Sequence, residues 1–99
     1  MSWADRAIES LNNNENATIK PHGNSMKPKV ESGATVILEP VEISDLKVDD
    51  IVLCKVKGNV YLHLVKAIDG GRVQIGNNKG GINGWTRTVF GRAIEIVQP

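Results

Sequence analysis

Short apolar runs separated by polar turns make up most of the chain after residue 30. The runs are rich in β-branched residues, and this composition is typical of strands. They cover residues 34–41, 50–56, 60–68, 72–75 and 87–97. Lys57-Gly58-Asn59 and Asp69-Gly70-Gly71 separate three of the runs and predict hairpins. The pattern therefore predicts a mainly β fold, as a compact coiled antiparallel sheet or a partly closed barrel.

The pattern before residue 20 is helical. Apolar residues recur there at helical spacing, namely Trp3, Ala4, Ile8 and Leu11. This spacing predicts a short helix over residues 3–11, capped by Ser2 and ended by the asparagine-rich stretch 12–16. Farther along, residues 76–85 are dense in glycine and asparagine and predict a loop, and Gly91 indicates a bulge or bend in the last strand.

The length of 99 residues predicts a single domain. Residues 1–20 are expected to form the helix and a linker, and residues 21–97 the β-domain. With 40% apolar residues, the chain can supply a modest core.

Charge and cysteine content exclude several classes of function. The formal net charge is +1, with 12 basic residues scattered among 11 acidic ones, so the chain has no overall attraction for nucleic acid or anionic membranes. Cys54 is the single cysteine, which favours a reducing compartment, and no apolar run is long enough to cross a bilayer. Two histidines and one cysteine give no metal-ligand spacing. We therefore expect a soluble cytoplasmic protein without cofactor, metal, nucleic-acid partner or membrane partner.

One serine lies in a turn that suits nucleophilic chemistry. Gly23, Asn24, Ser25 and Met26 follow one another between Pro21 and Pro28. A glycine-containing turn lets the backbone approach a substrate closely, and its N–H groups can stabilise the negative charge of an attacked carbonyl. A serine in such a turn is more often a plain turn residue, and Met26 serves equally well as an apolar wall or as core.

A serine hydroxyl needs a base, and the run over residues 60–68 offers two. Strand alternation places Tyr61, His63, Val65 and Ala67 on one face, and Val60, Leu62, Leu64, Lys66 and Ile68 on the other. Neutral histidine is suited to proton abstraction near pH 7, whereas a strand lysine usually reaches solvent. The pattern favours His63 as the partner of Ser25. Lys66 stays an alternative if the strand carries a bulge, and His22 stays a weaker one because it shares the turn of Ser25.

These segments, taken in order, resemble the signal-peptidase and LexA-type serine peptidase superfamily. "GNSMKP" matches the Gly-x-Ser-Met motif at the nucleophile, and Gly33-Ala34 and Asp49-Asp50 stand where the family has two Gly-Asp pairs. "VYLHLVKAI" matches the strand that bears the base. The resemblance covers residues 21–97. It implies that Ser25 is the nucleophile and that His63 is the base, as in the histidine-type members.

The resemblance also implies how a substrate binds. Relatives hold an extended peptide strand beside the site and prefer small side chains next to the cut. Gly23 and Met26 fall on the turn that would hold the oxyanion. Membrane anchors and helix-turn-helix domains, which other members carry, have no counterpart in this sequence.

The chain departs from the family after residue 75. Histidine-type members have acidic residues there that orient the site, but "IGNNKGGINGW" offers Asn77, Asn78 and Asn83 and no aspartate. Asparagine can orient an imidazole but cannot stabilise imidazolium as a carboxylate does. Asn77 and Asn78 are the predicted orienting residues, with loop formation as their ordinary alternative.

Two functions stay open at this point. The first is a small serine peptidase, or a self-processing domain, that uses Ser25 and His63 on a peptide or protein substrate. The second is a catalytically inactive peptide- or protein-binding module on the same fold. A structural or assembly role is a weaker third alternative. The sequence leaves the oligomeric state undetermined.

Overall fold

The computed structural model describes residues 3–99. One helix, α1 (Asp5–Asn12), precedes a series of strands. The strands are β1 (Ala17–Ile19), β2 (Thr35–Pro40), β3 (Ile51–Val56), β4 (Asn59–Asp69), β5 (Arg72–Gly76), β6 (Ile82–Thr86) and β7 (Thr88–Val97). A single 3₁₀ turn, Ile43–Asp45, lies between β2 and β3. The predicted mainly β fold with a short N-terminal helix is confirmed.

All seven strands belong to one sheet in the order β1-β2-β7-β3-β4-β5-β6, and every pairing is antiparallel. The hairpins β3-β4 and β4-β5 turn at residues 57–58 and 70–71, as the glycine-containing turns predict. The last strand, β7, lies between β2 and β3 and thereby joins the two halves of the sheet. In the part of the chain that the structure describes, β1 and β6 are the two edges and the sheet is not closed.

The sheet buries a separate apolar cluster on each of its faces. The first cluster includes residues of α1, β1, β2 and the even-numbered positions Leu62 and Leu64 of β4. The second includes Val52, Cys54 and the odd-numbered position Val65, with Tyr61 packed against it. The predicted division of residues 60–65 between two faces is therefore confirmed, and β4 is anchored from both sides.

Two short strands were not expected from the pattern. Residues 82–86 form β6 although residues 76–85 predict a loop, so that prediction is wrong at its end. Pairing with β5 overrides the low strand propensity of Asn83 and Gly84. Residues 17–19 form β1 inside the predicted linker, and its two apolar side chains are buried. The helix starts at Asp5 rather than at residue 3, and the predicted cap Ser2 lies outside the described residues.

Four single-residue bulges interrupt the ladders formed by residues 3–99. The extra residues are Lys66 in β4, Asn83 in β6, and Phe90 and Ile94 in β7. The predicted irregularity near Gly91 is thus one residue away, at Phe90. Gly91 itself makes room, because a Cβ there would lie 2.7 Å from Glu39 O and 2.8 Å from Leu11 Cδ2. It allows α1 to lie directly on the sheet.

Residues 3–99 contain no helix of the length and apolar character that a bilayer crossing requires.

Candidate functional site

Ser25 lies in an irregular segment, residues 21–34, that we call the serine turn. Its two ends are joined by a hydrogen bond from Gly33 N–H to Pro21 O at 2.8 Å. Gly23 has φ +127, a value that favours glycine. A turn that contains the cis Lys27-Pro28 peptide bond follows, and it is closed by Val30 N–H, which donates to Met26 O. Met26 is buried, and it packs in the first core cluster. The serine turn is therefore tied to the core by the residue directly after Ser25.

Polar contacts from distant segments hold the serine turn in place. Asn78 N–H donates to Ser25 O at 2.9 Å, and Asn78 Nδ2 donates to Lys27 O at 2.8 Å. Near the other end of the chain, Gln98 Oε1 accepts from Glu31 N–H at 3.0 Å and Gln98 Nε2 donates to Lys29 O at 3.0 Å. The conformation around Ser25 is thus determined by residues more than 50 positions later in the sequence.

The structure corrects the predicted role of the two consecutive asparagines. Asn77 Oδ1 accepts from the N–H groups of Lys79 and Gly81, both at 2.9 Å, and so shapes its own loop. Asn78 holds the serine turn. Neither side chain contacts the imidazole of His63, because both amides are occupied by backbone groups. We call residues 77–81 the asparagine loop.

His63 lies on β4 with its imidazole against Ser25. The distance from Ser25 Oγ to His63 Nε2 is 3.1 Å, although the two residues are 38 positions apart in sequence. His63 is only 8% exposed and is the one buried polar or charged side chain among the described residues. The ring of Tyr61 stacks on it, with centroids 4.9 Å apart and an angle of 20° between the planes. The strand thus presents one ring nitrogen to the serine while Tyr61 covers a face of the imidazole.

Asn83 is the residue that orients the imidazole. Its Oδ1 lies 2.6 Å from His63 Nδ1. As the bulged residue of β6, Asn83 departs from the regular alternation of that strand, and bulges commonly redirect a side chain in this way. An amide oxygen only accepts, so Nδ1 carries the proton and Nε2 has a free lone pair toward Ser25 Oγ. This is the tautomer that a general base requires.

Burial keeps the imidazole neutral. Loss of hydration lowers the pKa of His63 below its ordinary value of 6.5, and the hydrogen bond to Asn83 opposes that change. The net result is a lowered pKa of His63. His63 is therefore an acceptor, rather than a cation, at neutral pH.

Other candidate side chains lie elsewhere. Lys66 does occupy a bulge, but its stem packs along Gly76, where a Cβ would be 2.9 Å from Lys66 Cε. His22 is exposed on the rim of the serine turn. Cys54 is fully buried, and burial raises the pKa of its thiol to about 12, so the thiol is unreactive. The hydroxyl of Ser25 pairs with His63.

An oxyanion needs backbone donors without a partner in the protein, and Gly23 does not offer one. Its N–H donates to Ser32 Oγ at 3.1 Å, so the predicted oxyanion role of Gly23 is not supported by this geometry. Within residues 3–99, the N–H groups of Ser25 and Met26 donate to no protein acceptor. These two groups are free to bind an oxyanion beside Ser25 Oγ.

A groove of about 420 Å³ opens next to Ser25 and His63. One wall is formed by residues 20–23 and the other by residues 60–63, with Met26, Val30 and Trp3 among the remaining lining residues. Residues 59–63 pair with β3 only, because the β4-β5 ladder begins at Leu64. The groove therefore runs along an open backbone edge of β4.

The residue pairs Gly33-Ala34 and Asp49-Asp50 share a backbone feature. Gly33 has φ +84, and Asp49 has φ +77 although it is not glycine. Asp50 contacts Arg92, whose Nη1 lies 3.6 Å from its Oδ2. The first residue of each pair therefore has a left-handed backbone, which is uncommon for a residue such as Asp49 that carries a side chain.

Comparison with models of known protein families finds no match, and comparison with curated proteins finds none either. The features of the molecule that indicate a function are the geometry of Ser25, His63 and Asn83 and the groove beside them.

Proposed function

We propose that the chain is a serine peptidase of the signal-peptidase and LexA type, which cleaves a separate peptide or processes its own chain. The observation that carries the proposal is the relay from Ser25 Oγ to His63 Nε2 at 3.1 Å and from His63 Nδ1 to Asn83 Oδ1 at 2.6 Å. Nucleophile, base and orienting group follow one another in hydrogen-bonding distance, and the hydroxyl borders a groove.

The chemistry follows from this arrangement. Ser25 Oγ attacks the substrate carbonyl while its proton passes to His63 Nε2, and Asn83 holds the ring during the transfer. The N–H groups of Ser25 and Met26 bind the developing oxyanion. His63 then protonates the leaving amine, and an acyl group remains on Ser25. Water, deprotonated by His63, hydrolyses this ester and regenerates the hydroxyl.

The shape of the groove supports an extended peptide as substrate. A strand laid between residues 20–23 and 60–63 finds unpaired backbone groups on the β4 side, so main-chain hydrogen bonds can hold it without a specific sequence. The resemblance to the family adds a preference for small side chains next to the cut. Assignment of this open antiparallel sheet to the LexA-type fold is part of the same proposal.

One observation favours the alternative of an inactive binding module. Asn83 presents an amide where a carboxylate would stabilise imidazolium, so proton transfer to His63 is less favourable. The module would bind the same extended peptide in the same groove without cutting it.

Labelling with a fluorophosphonate, whose phosphorus is attacked by an activated serine hydroxyl with loss of fluoride, tests the proposal. We expect labelling at Ser25, no labelling in Ser25→Ala, and a rate reduced by about 10³-fold or more in His63→Ala. Ser44→Ala removes an exposed hydroxyl on the 3₁₀ turn and should be labelled like the parent. Labelling that persists in Ser25→Ala would contradict the proposal.

Peptide cleavage separates the peptidase from the binding module. A peptide library incubated with the parent should give new termini that are absent with Ser25→Ala. If parent and Ser25→Ala bind peptides equally and neither cleaves them, the binding module is the correct function.

A further inference from the structure

Asn83 is followed by Gly84, and this is the single Asn-Gly step in the sequence. Asparagine before glycine is the pair most prone to deamidation, because glycine has no side chain to hinder attack by its own backbone nitrogen on the asparagine amide. Asparagine is one of the thermolabile residues for this reason. The residue that orients His63 is therefore also the residue that the sequence makes chemically least durable.

The backbone at Asn83 departs from the conformation that normally protects a strand asparagine. Asn83 is the unpaired extra residue of its bulge, and Gly84 has φ +136. β6 is an edge strand, paired with β5 alone, and Asn83 is half-buried, so water reaches it. An edge bulge is the part of a sheet that opens most readily.

The contact with His63 activates the amide. His63 Nδ1–H donates to Asn83 Oδ1 at 2.6 Å. When the Gly84 nitrogen adds to Asn83 Cγ, negative charge develops on that same oxygen, and a donor already in place stabilises it. The imidazole thus acts on Asn83 as an oxyanion donor acts on a substrate.

We infer that Asn83-Gly84 is a self-modification site at which His63 promotes deamidation of Asn83 to aspartate, converting a Ser-His-Asn relay into a Ser-His-Asp relay. The Gly84 nitrogen bonds to Asn83 Cγ, the bond from Cγ to Nδ2 breaks, and the proton lost by the Gly84 nitrogen leaves with Nδ2 as ammonia, so that a succinimide remains. Water then adds to Cγ, the bond from Cγ to the Gly84 nitrogen breaks, and that nitrogen regains a proton. The net change is asparagine plus water giving aspartate plus ammonia, with no oxidant or reductant.

The consequence for catalysis rests on the proposed function. A carboxylate at position 83 attracts the proton of His63 and stabilises the imidazolium that forms as Ser25 is acylated. Deamidation would therefore strengthen the nucleophile, and freshly made protein would be the weaker form. Ring opening at the other carbonyl gives isoaspartate, which lengthens the main chain by one methylene and moves the carboxylate away from His63.

Peptide mapping after ageing at mildly alkaline pH tests the modification without reference to activity. Cleavage after Lys79 and Arg87 isolates residues 80–87, in which Asn83 is the single asparagine. We expect progressive conversion to aspartate, and conversion roughly tenfold slower in His63→Phe, which keeps a ring against Tyr61 but lacks the donor. His22→Phe, which leaves the contact with Asn83 in place, is the matched control. Absence of conversion, equal rates in parent and His63→Phe, or isoaspartate as the main product would overturn the inference.

The Asn83→Asp variant tests the effect on the site and does not depend on the rate of deamidation. We expect fluorophosphonate labelling of Ser25 to be about tenfold faster or more than in the parent, and slower in Asn83→Ala. NMR titration should show a higher pKa of His63 in Asn83→Asp and in aged protein than in fresh protein. If the parent is labelled and Asn83→Asp is labelled no faster, the inferred effect of deamidation on catalysis is overturned while the proposed function stays intact. Conversion to aspartate without labelling of any form would instead leave the modification standing and contradict the peptidase.

Discussion

The two sides of the candidate site are held in different ways. His63 lies on a strand whose neighbours pack into apolar clusters on both faces of the sheet. Ser25 lies in the serine turn, which is anchored to the first cluster by Met26 and Val30 but whose exposed part is held by polar contacts from Asn78 and Gln98. Apolar burial contributes most of the stability of a domain, whereas exposed hydrogen bonds contribute little each. Truncation of buried side chains on the strand should therefore destabilise the fold most, and loss of the polar contacts of the serine turn should misplace Ser25 in a protein that still folds.

The largest effect is expected from Leu64→Ala on β4. Leu64 is 1% exposed and lies next to His63, so truncation removes buried surface and leaves a cavity. We expect the free energy of unfolding to fall by about 2–5 kcal/mol, measured by urea denaturation. Ile68→Ala, at the exposed end of the same strand, should change it by less than about 0.5 kcal/mol. Equal effects of the two substitutions would contradict the assignment of stability to the buried part of β4.

A smaller and different effect is expected from Asn78→Ala in the asparagine loop. It removes the donor to Lys27 O and should cost about 0.5–1.5 kcal/mol of stability. Because Ser25 is then less well positioned, we expect fluorophosphonate labelling to slow by about tenfold, with the pH dependence of the rate unchanged since His63 is intact. The exposed Asn16→Ala is the matched control. An unchanged labelling rate would show that the backbone contacts alone hold the serine turn.

Acidification probes the strand side through His63. Burial lowers the pKa of His63 in the folded protein from 6.5, so below this pH the unfolded chain binds a proton that the folded protein does not. The free energy of unfolding should therefore decrease as pH falls from 6.5 toward the lowered pKa. Comparison of urea denaturation in the parent and in His63→Gln isolates this contribution. If the free energy of unfolding of the parent falls no more than that of His63→Gln in this pH range, the lowered pKa of His63 is contradicted.

The smallest effect is expected from Asp49→Gly, just before β3. Asp49 has φ +77, which strains a residue with a side chain, and no ion pair of its carboxylate is found among residues 3–99. Relief of strain exceeds the greater entropy of glycine in the unfolded chain, so we expect a gain of about 0.5 kcal/mol. Urea denaturation measures it, and Asp45→Gly, in a turn without positive φ, should instead be neutral or destabilising. A loss in Asp49→Gly would show that its side chain makes an unrecognised contribution.

The difference between the strand side and the turn side also explains which residues of the candidate site the sequence predicts. Strand alternation identifies His63 because the pattern of residues 60–65 follows from the pleat alone. The order of motifs then pairs it with Ser25, and the two side chains do meet. Gln98 and Ser32 could not be found in this way, because amide and hydroxyl contacts across long sequence separations leave no periodic signal.

Asn83 shows where pattern reasoning fails. A strand bulge shifts the alternation by one residue, and nothing in "GGINGW" indicates which residue is the extra one. The resemblance offers Asn77, Asn78 and Asn83 and predicts the first two as orienting residues, but the loop that Asn77 and Asn78 occupy turns their amides to the backbone. Alternation does predict that Tyr61 shares a face with His63, and the two rings stack on each other.

The contacts between Gln98 and the serine turn have a consequence for protein synthesis. Its contact with Glu31 spans 67 positions, and β7, which precedes Gln98, enters the middle of the sheet. A ribosome releases Ser25 early, yet the segments that hold the serine turn in place emerge more than 50 residues later. A growing chain therefore carries the Ser25 hydroxyl well before it carries the contacts that fix the surroundings of that hydroxyl.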